Sequence, residues 1–270
     1  MTVAPLNLNA RKRPRCAAVV LCTHGDDRRA IQLALDGWDI DFRARASEVL
    51  SALRTTGAPL LMTRPAAIES EPHTLLVSEI RDDAPAFDIV TLCRSADRNH
   101  DSVVALTRLG VADVLVLDDA NFSTRINELV QRTRLSHRVA ECGRQVSAGL
   151  PSKVSRLVRW SFQRGLRCGS VSEFAAAQGV SNHSLRRRLA KFHLTPEDLL
   201  RWRRVIAAFV LFEHTLLTVD RVARRVGFPS GPALHNAIHR TAGIPRSKVL
   251  QVGGTPHLIR LLREKMQLQG

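Results

Sequence analysis

The sequence predicts two domains of different class: an α/β domain built on a doubly wound parallel sheet, then an all-α domain with two helix–turn–helix patterns. Three observations carry that reading. Charge divides the chain: from Pro151 onward there are 21 basic and 6 acidic residues, whereas the first 150 residues hold 19 of each, so the whole formal +15 lies in the last 120. Short apolar runs alternate with helix-length segments about five times before residue 135, the pattern of a parallel sheet with helices on both faces. After residue 151, a short helix, a glycine and a serine-capped second helix occur twice.

Composition narrows the classes further. At 44% hydrophobic the 270-residue chain can bury real cores, and with aromatics at 4% and no tyrosine those cores must be aliphatic. No apolar run approaches the roughly 18 residues of a membrane span. The basic start (Arg11, Lys12, Arg13, Arg15) is followed by an apolar run, Ala17 to Leu21, too short for a signal peptide. Export and membrane classes are excluded at this level, and a cytoplasmic location is expected. The five cysteines, Cys16, Cys22, Cys93, Cys142 and Cys168, form no C-x-x-C pair, so neither a disulfide framework nor a zinc site is indicated and free thiols are expected.

The first half reads as follows. Ala17 to Cys22 is a continuous β-type run suited to a strand buried on both faces. Asp26 to Leu35 has helical spacing, and Trp38 to Phe42 is a short strand. Ser47 reads as the N-cap of a helix through Leu53, ended by Gly57-Ala58-Pro59 before the strand Leu60-Leu61-Met62. Asp88 to Cys93 is a fourth strand, Asp101 to Leu109 a helix closed by Gly110, Val111 to Leu117 a fifth strand, and Phe122 to Leu135 the last helix. Asp26 and Asp27 read as helix N-terminal carboxylates favoured by the macrodipole.

The stretch DIVTLCRSAD (88–97), with VVALTRLGVADVLVL (103–117), resembles the last third of a response-regulator receiver domain. The resemblance covers residues 16–135 and implies a receiver, flavodoxin-like sheet. Such domains hold Mg²⁺ and accept a phosphoryl group through acidic residues after the first strand, an Asp ending the third, a Ser or Thr ending the fourth and a Lys ending the fifth. Those places hold Cys22 and Thr23, Thr63 or Met62, Cys93, and Leu117. None can be the carboxylate nucleophile or supply the anionic oxygens that Mg²⁺ prefers. The resemblance therefore implies a pseudo-receiver that takes no phosphate and works by protein contact.

Glu141 to Pro151, polar and glycine-bearing, reads as a linker, placed at 136–152. Val154 to Phe162 is then a basic helix with Val154, Leu157, Val158 and Phe162 on one face. From Val171 to Phe192 the first helix is read as capped by Ser172, with Phe174, Ala175 and Ala176 turned inward. Gly179 sits at the helix end, and Ser181 caps a second helix burying Leu185 and Leu189. Its outward residues are Asn182, His183, Ser184, Arg186, Arg187, Arg188 and Lys191. The pattern repeats from Val219 to Arg240, with Val222 and Ala223 inward, Gly227 at the turn, Ser230 as cap, and Leu234 and Ile238 buried. Between the units, Pro196 starts an apolar-striped helix through Phe212. At ~1.5 Å per residue it is a rod of about 25 Å, enough to help set two second helices roughly one DNA turn, ~34 Å, apart.

Two such units joined by a helix resemble the DNA-binding domain of the AraC/XylS family of bacterial transcription regulators. The resemblance covers residues 153–250 and leaves 251–270 as a helical tail. It rests on Ala175, Gly179, Val180, Ser181, Leu185, Arg187 and Leu189, then Pro196, Arg204, Ala208 and Leu211. Val222-Ala223, Gly227-Phe228 and Ser230 follow, with a degraded tail at Gly243-Ile244-Pro245-Arg246 and Val249. It implies base reading by His183, Arg186 and Arg187 of the first unit. In the second, Gly231, Pro232, Ala233, His235 and Asn236 offer few donors, so that unit mainly positions the protein through His239 and Arg240. The expected DNA-contacting set is Asn182, His183, Ser184, Arg186, Arg187, Lys191, Ser230, His235, Asn236, His239 and Arg240. Double-stranded DNA is the expected partner, together with a homodimer through the first domain and RNA polymerase as a further candidate. A protein-binding antagonist or accessory regulator with weak DNA contact is the alternative. His235 and His239 are spaced i, i+4 but have no third ligand nearby in sequence, so no metal is expected. Neither a cofactor nor a catalytic group is expected, since the chain contains no P-loop, G-x-G-x-x-G, H-E-x-x-H or G-x-S-x-G motif.

Overall fold

A computed structural model describes residues 17–64, 75–80, 88–97, 101–163 and 170–267. Arg11, Lys12, Arg13, Arg15, Cys16 and Cys168, singled out above, lie outside the described residues. The chain divides into two compact units, Met1–Arg134 and Leu135–Gly270.

The first unit runs β1 (Ala18–Leu21), α1 (Gly25–Ala34), β2 (Ile40–Arg43), α2 (Ala46–Thr56), β3 (Leu60–Thr63), a helical stretch α3 (75–80), β4 (Asp88–Cys93), α4 (Asp101–Arg108), β5 (Asp113–Val116) and the start of α5 (Phe122–Ser147), whose residues from Leu135 onward belong to the second unit. The strands pair in the order β2-β1-β3-β4-β5, every pairing parallel. This doubly wound order is that of flavodoxin and CheY-type receivers. Successive strand residues point to opposite faces, and both faces are covered. Val19, Leu21, Leu61 and Ile89 pack onto Val49, Ala52 and Leu53 of α2, Val77 and Ile80 of α3, and Leu106 of α4. Val20, Met62, Val90, Leu92 and Leu115 pack onto Ile31 and Ala34 of α1 and Phe122, Ile126 and Val130 of α5. Burying each such aliphatic side chain contributes about 1.5–3 kcal/mol, which is why these strands are apolar runs rather than alternating ones.

The second unit continues with α6 (Ser152–Gln163), α7 (Val171–Ala177), α8 (Asn182–Ala190), α9 (Pro196–His214), α10 (Val219–Arg225), α11 (Gly231–Ala242), α12 (Arg246–Gln251) and α13 (Thr255–Gln267). Its centre is α9, which buries Leu199, Val205, Ile206, Ala208 and Phe209 completely. Thr195 and Asp198 close a reciprocal capping box at its start. At its other end Glu213 accepts a hydrogen bond from the Thr255 N–H at 2.7 Å, which anchors the first turn of α13.

Several local expectations change. Helix α2 starts after Arg45, which has no side-chain cap bond, and Ser47 lies inside it; burial of Val49, Ala52 and Leu53 holds this helix instead. The cap of α7 is Ser170, whose hydroxyl accepts from the Glu173 N–H, so Ser172 is helical, and Ala176 is exposed.

The segment 136–152 differs most, because α5 continues to Ser147. Val139, Cys142 and Val146 recur at helical spacing and join the second unit's core with Val154, Leu157, Val158 and Phe162. The glycine that reads as a breaker is a close-packing site. A Cβ at Gly143 would lie 2.5 Å from the Phe162 Cβ.

Candidate nucleic-acid interface

The two helix pairs of the second unit are built by the same local devices. In the first, Gly179 takes φ +61° and Val180 N–H returns to the Ala175 carbonyl at 3.1 Å. In the second, Gly227 takes φ +86° and Phe228 N–H returns to the Ala223 carbonyl at 2.8 Å. Left-handed backbone at these turns strongly favours glycine. Ser181 then caps α8 by accepting from the Ser184 N–H at 3.2 Å, and Ser230 caps α11 by accepting from the Ala233 N–H at 3.4 Å. Each second helix is also tied to its first. Asn182 donates to the Ser172 hydroxyl at 3.3 Å, while the Gly231 N–H donates to Asp220 Oδ1 at 2.9 Å. A Cβ at Gly231 would stand 2.7 Å from that same oxygen, so the tie requires glycine.

These devices fix what each predicted residue presents. Leu185 and Leu189 of α8, and Leu234 and Ile238 of α11, are buried. On α8, Asn182, His183, Arg186, Arg187 and Lys191 are exposed, while Ser184 and Arg188 are half-buried. Arg186 is ion-paired with Glu197 of α9. On α11, His235, Asn236, His239 and Arg240 are exposed and Ser230 is half-buried in its capping role. The His235 and His239 rings lie edge to face at 4.8 Å. Among the described residues no group of three metal-ligating side chains gathers around them or elsewhere.

The carboxyl ends of the first unit's strands, where open α/β sheets place their sites, hold a different arrangement. Cys22, Thr63 and Cys93 are buried. Beside them Asp27, 1% exposed, receives Arg64 Nε at 2.9 Å on one oxygen. Its other oxygen receives Arg94 Nε at 3.0 Å and Nη2 at 2.7 Å. The Ser95 N–H donates to Asp118, which lowers that carboxyl below its usual range. Sequence reading placed Asp27 as a simple helix-end acid and missed the cluster. The available signal was that Arg64 and Arg94 each directly follow a strand. Burial pushes the Cys22 thiol up, and in the second unit it pushes Cys142, beside Glu213 and Glu141, up to about 12.

Residues 174–251 match the family described as a helix-turn-helix domain. The second unit carries an AraC-type helix-turn-helix domain. That domain makes the chain a DNA-binding transcription regulator. No curated protein matches the chain. Among solved structures, the chain is similar to a CheY-like protein (tadZ) from Pseudomonas aeruginosa, at 20% identity over 43% of this chain and 97% of that one, with a TM-score of 0.38. It is also similar to NtrX from Brucella abortus, at 16% identity over 57% and 35%, TM-score 0.38. Full-length FixJ from B. japonicum is similar at 17% identity over 78% and 96%, TM-score 0.36. The receiver-like character of the first unit rests on its strand order. Among the described residues no helix is long and apolar enough to cross a membrane.

Proposed function

We propose that this chain is a cytoplasmic, non-enzymatic regulator that reads two successive major-groove segments, with a first unit that works without phosphorylation. The observation that supports it best is the repeated geometry of the helix-turn-helix domain: two glycine turns, two serine caps and two exposed second helices flanking the buried α9. In this reading His183, Arg186 and Arg187 contact base edges, and Asn182, Ser184 and Lys191 hold the adjacent backbone. On α11, His235 and Asn236 add few base contacts, while Ser230, His239 and Arg240 position that helix on the duplex. The receiver-like domain is taken as 16–135 and the helix-turn-helix domain as 153–250, with residues from 136–152 and 251–270 completing the core of the latter.

Phosphate independence follows from chemistry. A phosphoryl acceptor needs a carboxylate nucleophile and a divalent cation, whereas here Thr63 ends β3 and Asp27 is engaged by two guanidiniums. The first unit then acts by contact, through a homodimer or a partner such as RNA polymerase.

Selection of binding sites from a random duplex pool tests the reading. A two-part motif is expected, with preference relaxed at one or two positions in Arg187→Ala and less so in Asn236→Ala. Incubation with acetyl phosphate and Mg²⁺ should change neither mass nor DNA affinity. No enriched motif, or an aspartyl phosphate in the first unit, would overturn it.

A further inference from the structure

Between the two helix pairs lies an open cleft of about 550 Å³, walled by the start of α7, the first half of α9, the Phe228 turn and one side of α11. Three of the six polar residues that line it are arginines. Arg201 and Arg204 of α9 and Arg240 of α11 line it, with Asn236 beside them, against one acid, Glu197. Glu197 is already engaged by Arg186 from α8. Arg201 is steadied by Asp198 at 2.9 Å, and the Arg204 guanidinium lies over the Phe228 ring, 6.0 Å from its centre. The apolar lining includes Leu200 and Ala237, and the Nε side of the Arg204 guanidinium is buried against the Gly227-Phe228 turn.

We infer that this cleft receives the DNA backbone, so that Arg201, Arg204 and Arg240 bind the phosphates lying between the two major-groove segments. The inference rests on the DNA-binding reading above and adds to it two residues of the connecting helix, outside both second helices. Three arguments favour a backbone over a small ligand. The cleft is open rather than enclosed. Asn236 and Arg240, on its wall, belong to the exposed face of α11. Arg186, on the exposed face of α8, reaches Glu197 at its other side. A duplex engaged by both second helices would cross the opening with a phosphate strand, and the arginines supply the complementary charge. Guanidinium forks suit phosphate oxygens better than lysines would.

The assay is fluorescence anisotropy of the full chain with two 30-base-pair duplexes of unrelated sequence, titrated across salt. Removing the neutralisation of one phosphate should lower the slope of log K against log[salt] by about 0.9. Arg204→Gln and Arg240→Gln should each do so, with the same several-fold loss on both duplexes, and the double variant should lower it by about twice that. Arg204→Lys should restore most of the slope, which a merely structural role of Arg204 would not allow. Glu197→Gln, by removing the cleft's acid, should strengthen binding on both duplexes. If wild type binds both duplexes but the variants keep its slope, the cleft assignment fails while DNA binding stands. If wild type binds neither duplex, both fall.

Discussion

Replacing Asp27 by Asn should destabilise the first unit far more than its position in the first turn of an exposed helix suggests. Asp27 and Arg64 have side chains only 2% and 7% exposed, and the substitution keeps the shape while removing the charge shared by Arg64 and Arg94. Breaking a buried, hydrogen-bonded ion pair from one side costs about 3–5 kcal/mol, mostly the penalty of leaving the other charge buried. At roughly 1.4 kcal/mol per decade this is a 10²- to 10³·⁵-fold rise in the opened population. Amide hydrogen exchange of the full chain reads it directly, as lost protection in β1, β3 and β4, the buried centre of the sheet. Arg94→Met leaves the Arg64–Asp27 pair in place, and because Arg94 is half-exposed its effect should be clearly smaller. Asp27→Leu combined with Arg64→Met removes both buried charges and should recover much of the loss. Protection in Asp27→Asn within about threefold of wild type would refute the claim that this cluster is a buried, energetically coupled unit.

Gly143→Ala should destabilise the second unit by about 1–3 kcal/mol through overpacking against Phe162; its urea midpoint checks this, and an unchanged midpoint would contradict the close approach. His137 is held below the usual histidine range by burial and by Arg144 and Arg138, against the opposing pull of Glu141. As pH falls through the unfolded value of 6.5, the unfolded chain takes up a proton that the folded chain resists, so stability should fall. His137→Gln should flatten that part of a stability profile taken between about pH 7.5 and 5.5. Cys22, Cys93 and Cys142, all buried thiols, should resist alkylation in the native chain and react once it is unfolded, as peptide mapping after iodoacetamide would show.

The parts of this molecule legible in the sequence are those whose causes are local. Serine caps, glycine turns and the i, i+4 spacing of Leu185 with Leu189 and Leu234 with Ile238 act within a few residues, so both helix pairs can be read directly. The central strands β1, β3 and β4 are legible because parallel strands buried on both faces are written as continuous apolar runs. Gly143 shows the limit: the same residue that breaks a helix also lets two helices touch, and only the position of Phe162 decides between them. The Asp27 cluster was not legible because its partners lie 37 and 67 residues away. The sheet brings them together by ending β3 and β4 beside the first turn of α1. The cleft between the helix pairs likewise depends on how α9 presents Arg201 and Arg204 to α11, which no single motif records.

Hydroxyl-radical footprinting of the full chain on its selected duplex tests the central claim, that two helix-turn-helix units read successive major-groove segments. Two protected blocks on one face of the duplex, about one helical turn (10–10.5 base pairs) apart, are expected. Arg187→Ala should weaken the block contacted by α8, and the block contacted by α11 should persist. A single protected block, or none, would contradict it.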